Sequence, residues 1–237
     1  MAAEDGPRET ILRNMRYERL APTLMYRTLR KGVIRYLTSP HRDRRILAEC
    51  RVVLEAERDA ALHPQKRENF NHELRALETF ERSLNQLALA GLTLVPARHA
   101  AALVIEGVRI SVQPTAYTRL VRPRGGYLAG ALVIDLAKGA ELKTDAARLK
   151  AEDGRVHAAS LLHRHVAALQ YEDDTKAATE QCVIFHAYRQ QPTCAPKSAG
   201  RMYRNIEAVC KNIARGWENI IPPPKFEANR SINRTWN

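Results

Sequence analysis

The stretch from Leu94 to Lys138, LVPARHAAALVIEGVRISVQPTAYTRLVRPRGGYLAGALVIDLAK, limits the possible folds more than any other part of the chain. It holds apolar runs rich in β-branched residues, separated by turn signals at Glu106-Gly107 and at Pro123 to Gly126. That is the pattern of antiparallel strands joined by hairpins. Strands are expected near Leu92–Pro96, Ala101–Ile105, Val108–Val112, Tyr117–Val121 and Tyr127–Leu136. Pro114 should mark a bulge or a strand end, because proline has no N–H to give to a ladder. Everything on either side reads mostly as helix, so the rest of the domain has to pack on this sheet.

Before the sheet, Leu24, Tyr26, Leu29, Val33, Ile34 and Leu37 recur at helical spacing over about 23–37, with Arg27, Arg30, Lys31 and Arg35 on the other face. Ser39-Pro40 is a helix start signal, and the helix it opens is expected to run to Leu62. A further helix over about 65–90 follows from Phe70, Leu74, Leu77, Leu84 and Leu87, with Gly91 placed to end it. After the sheet, helices are expected at Thr144–Lys150 and Val156–Gln170, an acidic connection at 171–181, and a buried strand at Cys182–Tyr188. A loop over Pro192–Gly200 leads to a last helix at Arg201–Asn219. The chain therefore reads as α+β. A helical N-terminal section (1–63) precedes a core domain (64–220) with a central, mostly antiparallel sheet flanked by helices, and an extended basic tail (221–237) ends it.

Charge narrows the choice of partner. The formal net charge is +12, and it is concentrated: residues 1–45 carry 11 basic and 5 acidic side chains, 109–126 carry 4 and 0, and 196–237 carry 8 and 3. A clustered positive field attracts polyanions. Cys50, Cys182, Cys194 and Cys210 form no CxxC pair, which argues against a zinc ribbon and gives no disulfide framework. With no apolar run of 18 residues and no basic-then-apolar leader, a cytoplasmic protein with no membrane partner is expected.

From Gln65 to Gly200 the order of elements is helix, antiparallel strands, helix, strand and a final helix. Over about 64–190, and in the texture GVRISVQPTAY…GYLAGALVIDLAK, this resembles the PD-(D/E)XK nuclease superfamily, with its helix, three-stranded meander, helix and fourth strand. The resemblance implies a restriction-endonuclease-like core in which acidic side chains on two strands hold a divalent metal beside a lysine. Here Pro114-Thr115 stands where that pattern has an aspartate after proline, and Asp135 and Lys138 are three apart instead of two. Along a strand, residues three apart face opposite sides. A helical acid would come from Glu73, Glu78 or Glu81.

Outside that pattern, His163-Arg164-His165 sits on a predicted helix, where residues two apart do not share a face, so a surface role is expected for it. No GxSxG, phosphate-loop or GxGxxG motif is present. The basic segments point elsewhere. Arg119, Arg122 and Arg124 surround a hairpin with Tyr117 and Tyr127 beside them, which combines charge for phosphates with rings for bases. Arg201, Arg204, Lys211 and Arg215 add a second stripe, and Arg27, Arg30, Lys31 and Arg35 a third. The expectation is a nucleic-acid-binding protein, a non-catalytic or degenerate nuclease-fold subunit of a larger nucleoprotein or defence-type assembly with other protein subunits, and no cofactor. One alternative is a magnesium-dependent nuclease using Asp135, Lys138 and Glu78. The other is a structural or regulatory protein that docks an acidic protein partner.

Overall fold

In the computed structural model the described residues are 9–10, 12–13, 16, 26–97, 102–123, 125–137, 144–169 and 174–222. The chain is α+β. Among the described residues, helices α1 (Arg27–Thr38), α2 (Arg45–Asp59) and α3 (Pro64–Ser83) precede the strands. The strands are β1 (Leu92–Pro96), β2 (Leu103–Ile105), β3 (Val108–Ile110), β4 (Ala116–Val121) and β5 (Tyr127–Asp135). Helix α4 (Asp145–Ala168), strands β6 (Thr175–His186) and β7 (Gln191–Cys194), and helix α5 (Ala199–Gly216) complete it.

The main sheet runs β1-β4-β5-β6-β7, and β2 and β3 form a separate hairpin. Every pairing is antiparallel except β5 with β6, which α4 connects as a crossover. Glu106 and Gly107 both take positive φ, 50° and 78°, as a tight hairpin with the right twist requires.

Side chains alternate along a strand, so β5 faces two cores. Leu132 and Ile134 point to one side, among Leu29, Val33, Leu47, Leu77 and Phe80 of α1, α2 and α3. Ala129 and Ala131 point to the other, against Ala159, Leu162 and Val166 of α4. The N-terminal helices thus share a core with the sheet. On the α4 side, α5 seats Ile206 and Cys210 on Ile105 of the β2–β3 hairpin.

Several boundaries differ from expectation. The two helices expected at Thr144–Lys150 and Val156–Gln170 are one over Asp145–Ala168: Thr144 caps its start by accepting the Ala147 N–H, and packing on the sheet offsets the roughly 1 kcal/mol that Gly154 costs inside a helix. The acidic connection is largely strand: Thr175, Lys176 and Ala177 pair with Tyr127, Leu128 and Ala129. Within the expected loop, Gln191–Cys194 pairs with β6 as an edge strand, the one setting in a sheet that tolerates Pro192. Helix α2 starts at Arg45, not at Ser39-Pro40; Arg42 takes a left-handed φ of 46°, and the Asp43 carboxylate accepts the Arg45 N–H. Beyond Pro222, the basic tail lies outside the described residues.

The parallel pair has one irregularity, a register shift between Ala129 and Ala131. A Cβ on Gly130 would lie 2.1 Å from the Gln181 carbonyl oxygen. Only glycine fits there. Gly130→Ala is expected to destabilise the protein by about 2–3 kcal/mol or more, read as a lower urea midpoint. An unchanged midpoint would contradict this account of the bulge.

Candidate nucleic-acid interface

Helix α5 is amphipathic. Ile206 and Cys210 are buried, while Arg201, Arg204, Lys211 and Arg215 are exposed. At 100° per residue the four cations fall within about 80° of the helix circumference and span about 21 Å of its length. Among the described residues none of the four has an acidic partner within 4.0 Å. Glu207, an acid on the same helix, is held at 2.7 Å by Arg164 of α4, whose guanidinium also lies over the Tyr203 ring. That contact fixes α5 on α4 and leaves the cationic stripe facing outward.

By strand alternation Arg119 sits on the same side of the sheet as α4. Arg119 of β4 is exposed, and its guanidinium carbon lies 3.4 Å from the centroid of the Tyr127 ring on β5. Arg122 closes the hairpin, its N–H donating to the Gly126 carbonyl, where Gly125 and Gly126 supply the positive φ. Arg124 lies outside the described residues. Tyr117 is not part of the patch: its hydroxyl is 2.9 Å from His165 Nε2, and the two rings stack.

The third stripe is on the opposite layer. Arg27, Arg30 and Lys31 of α1 are exposed, whereas Arg35 is paired with Glu49 at 2.7 Å. Acids surround this layer. Arg51 of α2 bridges Glu78 and Glu81, and Thr28 of α1 bonds Glu57. The sheet therefore separates α1 from α5 and Arg119.

Among the described residues the candidate acids stand apart. Asp135 ends β5, where its carboxylate accepts the Ala137 N–H and lies 3.9 Å from His186 Nε2. Glu78 is exposed in a groove with Arg44, Glu81, Arg82 and Asn85. On the buried face of α3 stands Glu73 instead, 5% exposed, accepting the Leu29 N–H at 3.1 Å in the first turn of α1. Thr115 uses its hydroxyl to accept the Ile134 N–H. Lys138 lies outside the described residues. Among the described residues no three His, Cys, Asp or Glu side chains converge. Magnesium asks for several clustered oxygens, and this donor set does not fit it.

Sequence reasoning expected the HRH motif at the surface, and His165 is instead buried, 2% exposed. His163 meets the Tyr203 hydroxyl, so each histidine serves a tyrosine on a different element. Burial holds His163, His165 and His186 below the usual imidazole range. It also pushes the Cys182 thiol up to about 12 and Cys50 to about 11, which removes both as nucleophiles at neutral pH. Sequence reasoning also passed over Val95 and Val121, which flank Arg119 on its face; period two along β4 was the available signal for Val121.

Two outcomes follow from these buried groups. Burial is the main reason the Glu73 carboxyl is raised above its usual range, so Glu73→Gln, which keeps an acceptor for Leu29, should be nearly neutral. Glu73→Ala should cost about 1–3 kcal/mol by leaving a buried N–H unbonded; equal urea midpoints for the two variants would contradict that role. The depressed histidines mean that the unfolded chain binds more protons than the native one below about pH 6.5. Stability should be complete above that pH and fall on acidification to pH 5.5, and a rising urea midpoint over that interval would contradict it.

Comparison with known proteins gives no matching family model, no matching characterised sequence and no matching solved structure.

Proposed function

We propose that this protein binds nucleic acid through phosphate contacts and does no chemistry on it, as a degenerate relative of the PD-(D/E)XK architecture within a larger nucleoprotein assembly. The observation that carries this reading is the α5 stripe: four exposed cations in line over one helix face, none with an acidic partner among the described residues. Among the described residues Arg35, Arg51 and Arg164 are each held by a carboxylate, and the four cations of α5 are not. Cations left in an uncompensated row release counterions from a polyanion and so gain affinity for it.

The fold supports the family part of the reading. Helix α3, the meander β1-β4-β5, the crossover helix α4 and the parallel strand β6 follow the order that the resemblance implies. The place where a metal would be held has Thr115 and Asp135 without converging acids. Free thiols at Cys50, Cys182, Cys194 and Cys210 suit a reducing compartment such as the cytoplasm. Among the described residues no helix is long and apolar enough to cross a membrane.

Binding to a labelled oligonucleotide, followed by anisotropy across salt concentrations, tests the reading. The logarithm of affinity should fall linearly with the logarithm of salt concentration. Replacing Arg201, Arg204, Lys211 and Arg215 together by Gln should lower the magnitude of that slope by roughly 3–4 on a duplex and weaken binding at least about ten-fold, with the urea midpoint unchanged. An unaltered slope in that variant would overturn the assignment to α5. A nuclease-resistant pull-down of an acidic protein with no oligonucleotide binding would favour protein docking.

A further inference from the structure

We infer that the uncovered end of the sheet face beside α4 is a base-stacking platform for single-stranded nucleic acid; this rests on the nucleic-acid reading above and adds the strandedness of the ligand. Among the described residues helix α4 packs mainly over β5, β6 and β7 and meets β4 at Tyr117, while Thr93, Val95, Arg119 and Val121 on the same face of β1 and β4 are exposed. The register fixes who shares it. Thr93 lies opposite Arg119, Val95 opposite Tyr117, and Val121 opposite Tyr127. All six side chains point to the α4 side by strand alternation.

This surface has an unusual make-up for one facing water. Val95 is 51% exposed and Val121 66%, both on strand positions where a polar residue would be expected on a solvated face. Between them lies Arg119, its guanidinium carbon 3.4 Å from the Tyr127 ring centroid and without an acidic partner among the described residues. The Asp174 backbone oxygen accepts the Tyr127 N–H, so the strand position of the ring is fixed. Arg122 stands at the hairpin end of the same strand.

These groups meet the two demands of a single strand and not those of a duplex. Unpaired bases expose apolar faces that stack on a guanidinium plane or an aromatic ring, with methyl groups of valine beside them. The phosphates between them need a cation beside the stack, which Arg119 supplies. A duplex hides its base faces and would leave Val95 and Val121 without a partner. Charge complementarity thus selects a polyanion, and the apolar floor selects one with bases exposed.

Three ligands of equal length separate this inference from the one beneath it: a single strand, the same strand with abasic sites throughout, and the duplex. The wild-type protein should bind the single strand at least about ten-fold more tightly than the abasic strand at one salt concentration. Arg119→Lys, which keeps the charge and loses the plane, should bring the two affinities within about three-fold of each other. Equal binding of normal and abasic strands by the wild type, or an Arg119→Lys variant that behaves as wild type, overturns the platform. Tight duplex binding with weak single-strand binding also overturns it, while leaving phosphate recognition by α5 standing. Binding of none of the three overturns both. If the free protein sediments as a dimer that Val121→Asp dissociates, the face belongs to a second copy of the chain and the inference fails.

Discussion

The parallel ladder between β5 and β6 is the constraint on which the rest of the molecule depends. A parallel pair needs a long crossover, and α4 is that crossover. Once α4 lies across one face of β5, the other face must be covered by something else, and α1, α2 and α3 do so. The close approach of Gly130 to Gln181 is where this ladder is tightest. The sidedness of the molecule, including which cations share a surface, follows from the choice of faces made there.

That separation gives a chain whose excess positive charge is clustered along its sequence two different faces. Over α1, α2 and α3 some cations meet acids, Arg35 with Glu49 and Arg51 with Glu78 and Glu81, while Arg27, Arg30 and Lys31 are exposed with no ion pair among the described residues. Exposed pairs of this kind add little to stability, but they weaken the long-range field of the face that carries them. On the α4 side, Arg164 neutralises Glu207, an acid beside the stripe, and the four cations of α5 stay uncompensated. The same side carries Arg119 on its open strand. The buried histidine and tyrosine pairs lie beneath this layer and hold it together: Tyr117 with His165 joins β4 to α4, and His163 with Tyr203 joins α4 to α5.

Much of this was legible in the sequence wherever a local signal decides the structure. Glu106-Gly107 signals its hairpin, and the 3.6-residue period of α5 places its four cations on one stripe, but the helix expected to run on to Gly91 ends at Ser83 and a 3-10 turn at Leu84–Gln86 follows it. Elements that depend on partners far along the chain were not legible. Thr175 to Glu180 is polar and carries no strand pattern, and becomes strand because β5 offers it a ladder. The gap expected between Lys150 and Val156 is instead helical, carried through by the packing of α4. The site followed the same rule. Tyr117 and His165 are 48 residues apart, so nothing local said that the ring would turn inward, and Glu73 is distinguished from Glu78 only by the position of Leu29 in another helix.

The central claim is that polyanion contact is confined to the α4 side of the sheet. Amide hydrogen exchange of the full chain, free and saturated with oligonucleotide, tests this most directly, because it reports protection segment by segment without altering any residue. Slowed exchange in α5 and in β4, with α1 unchanged, is the predicted result. Protection centred on α1 and α2, with α5 unaffected, would contradict the account.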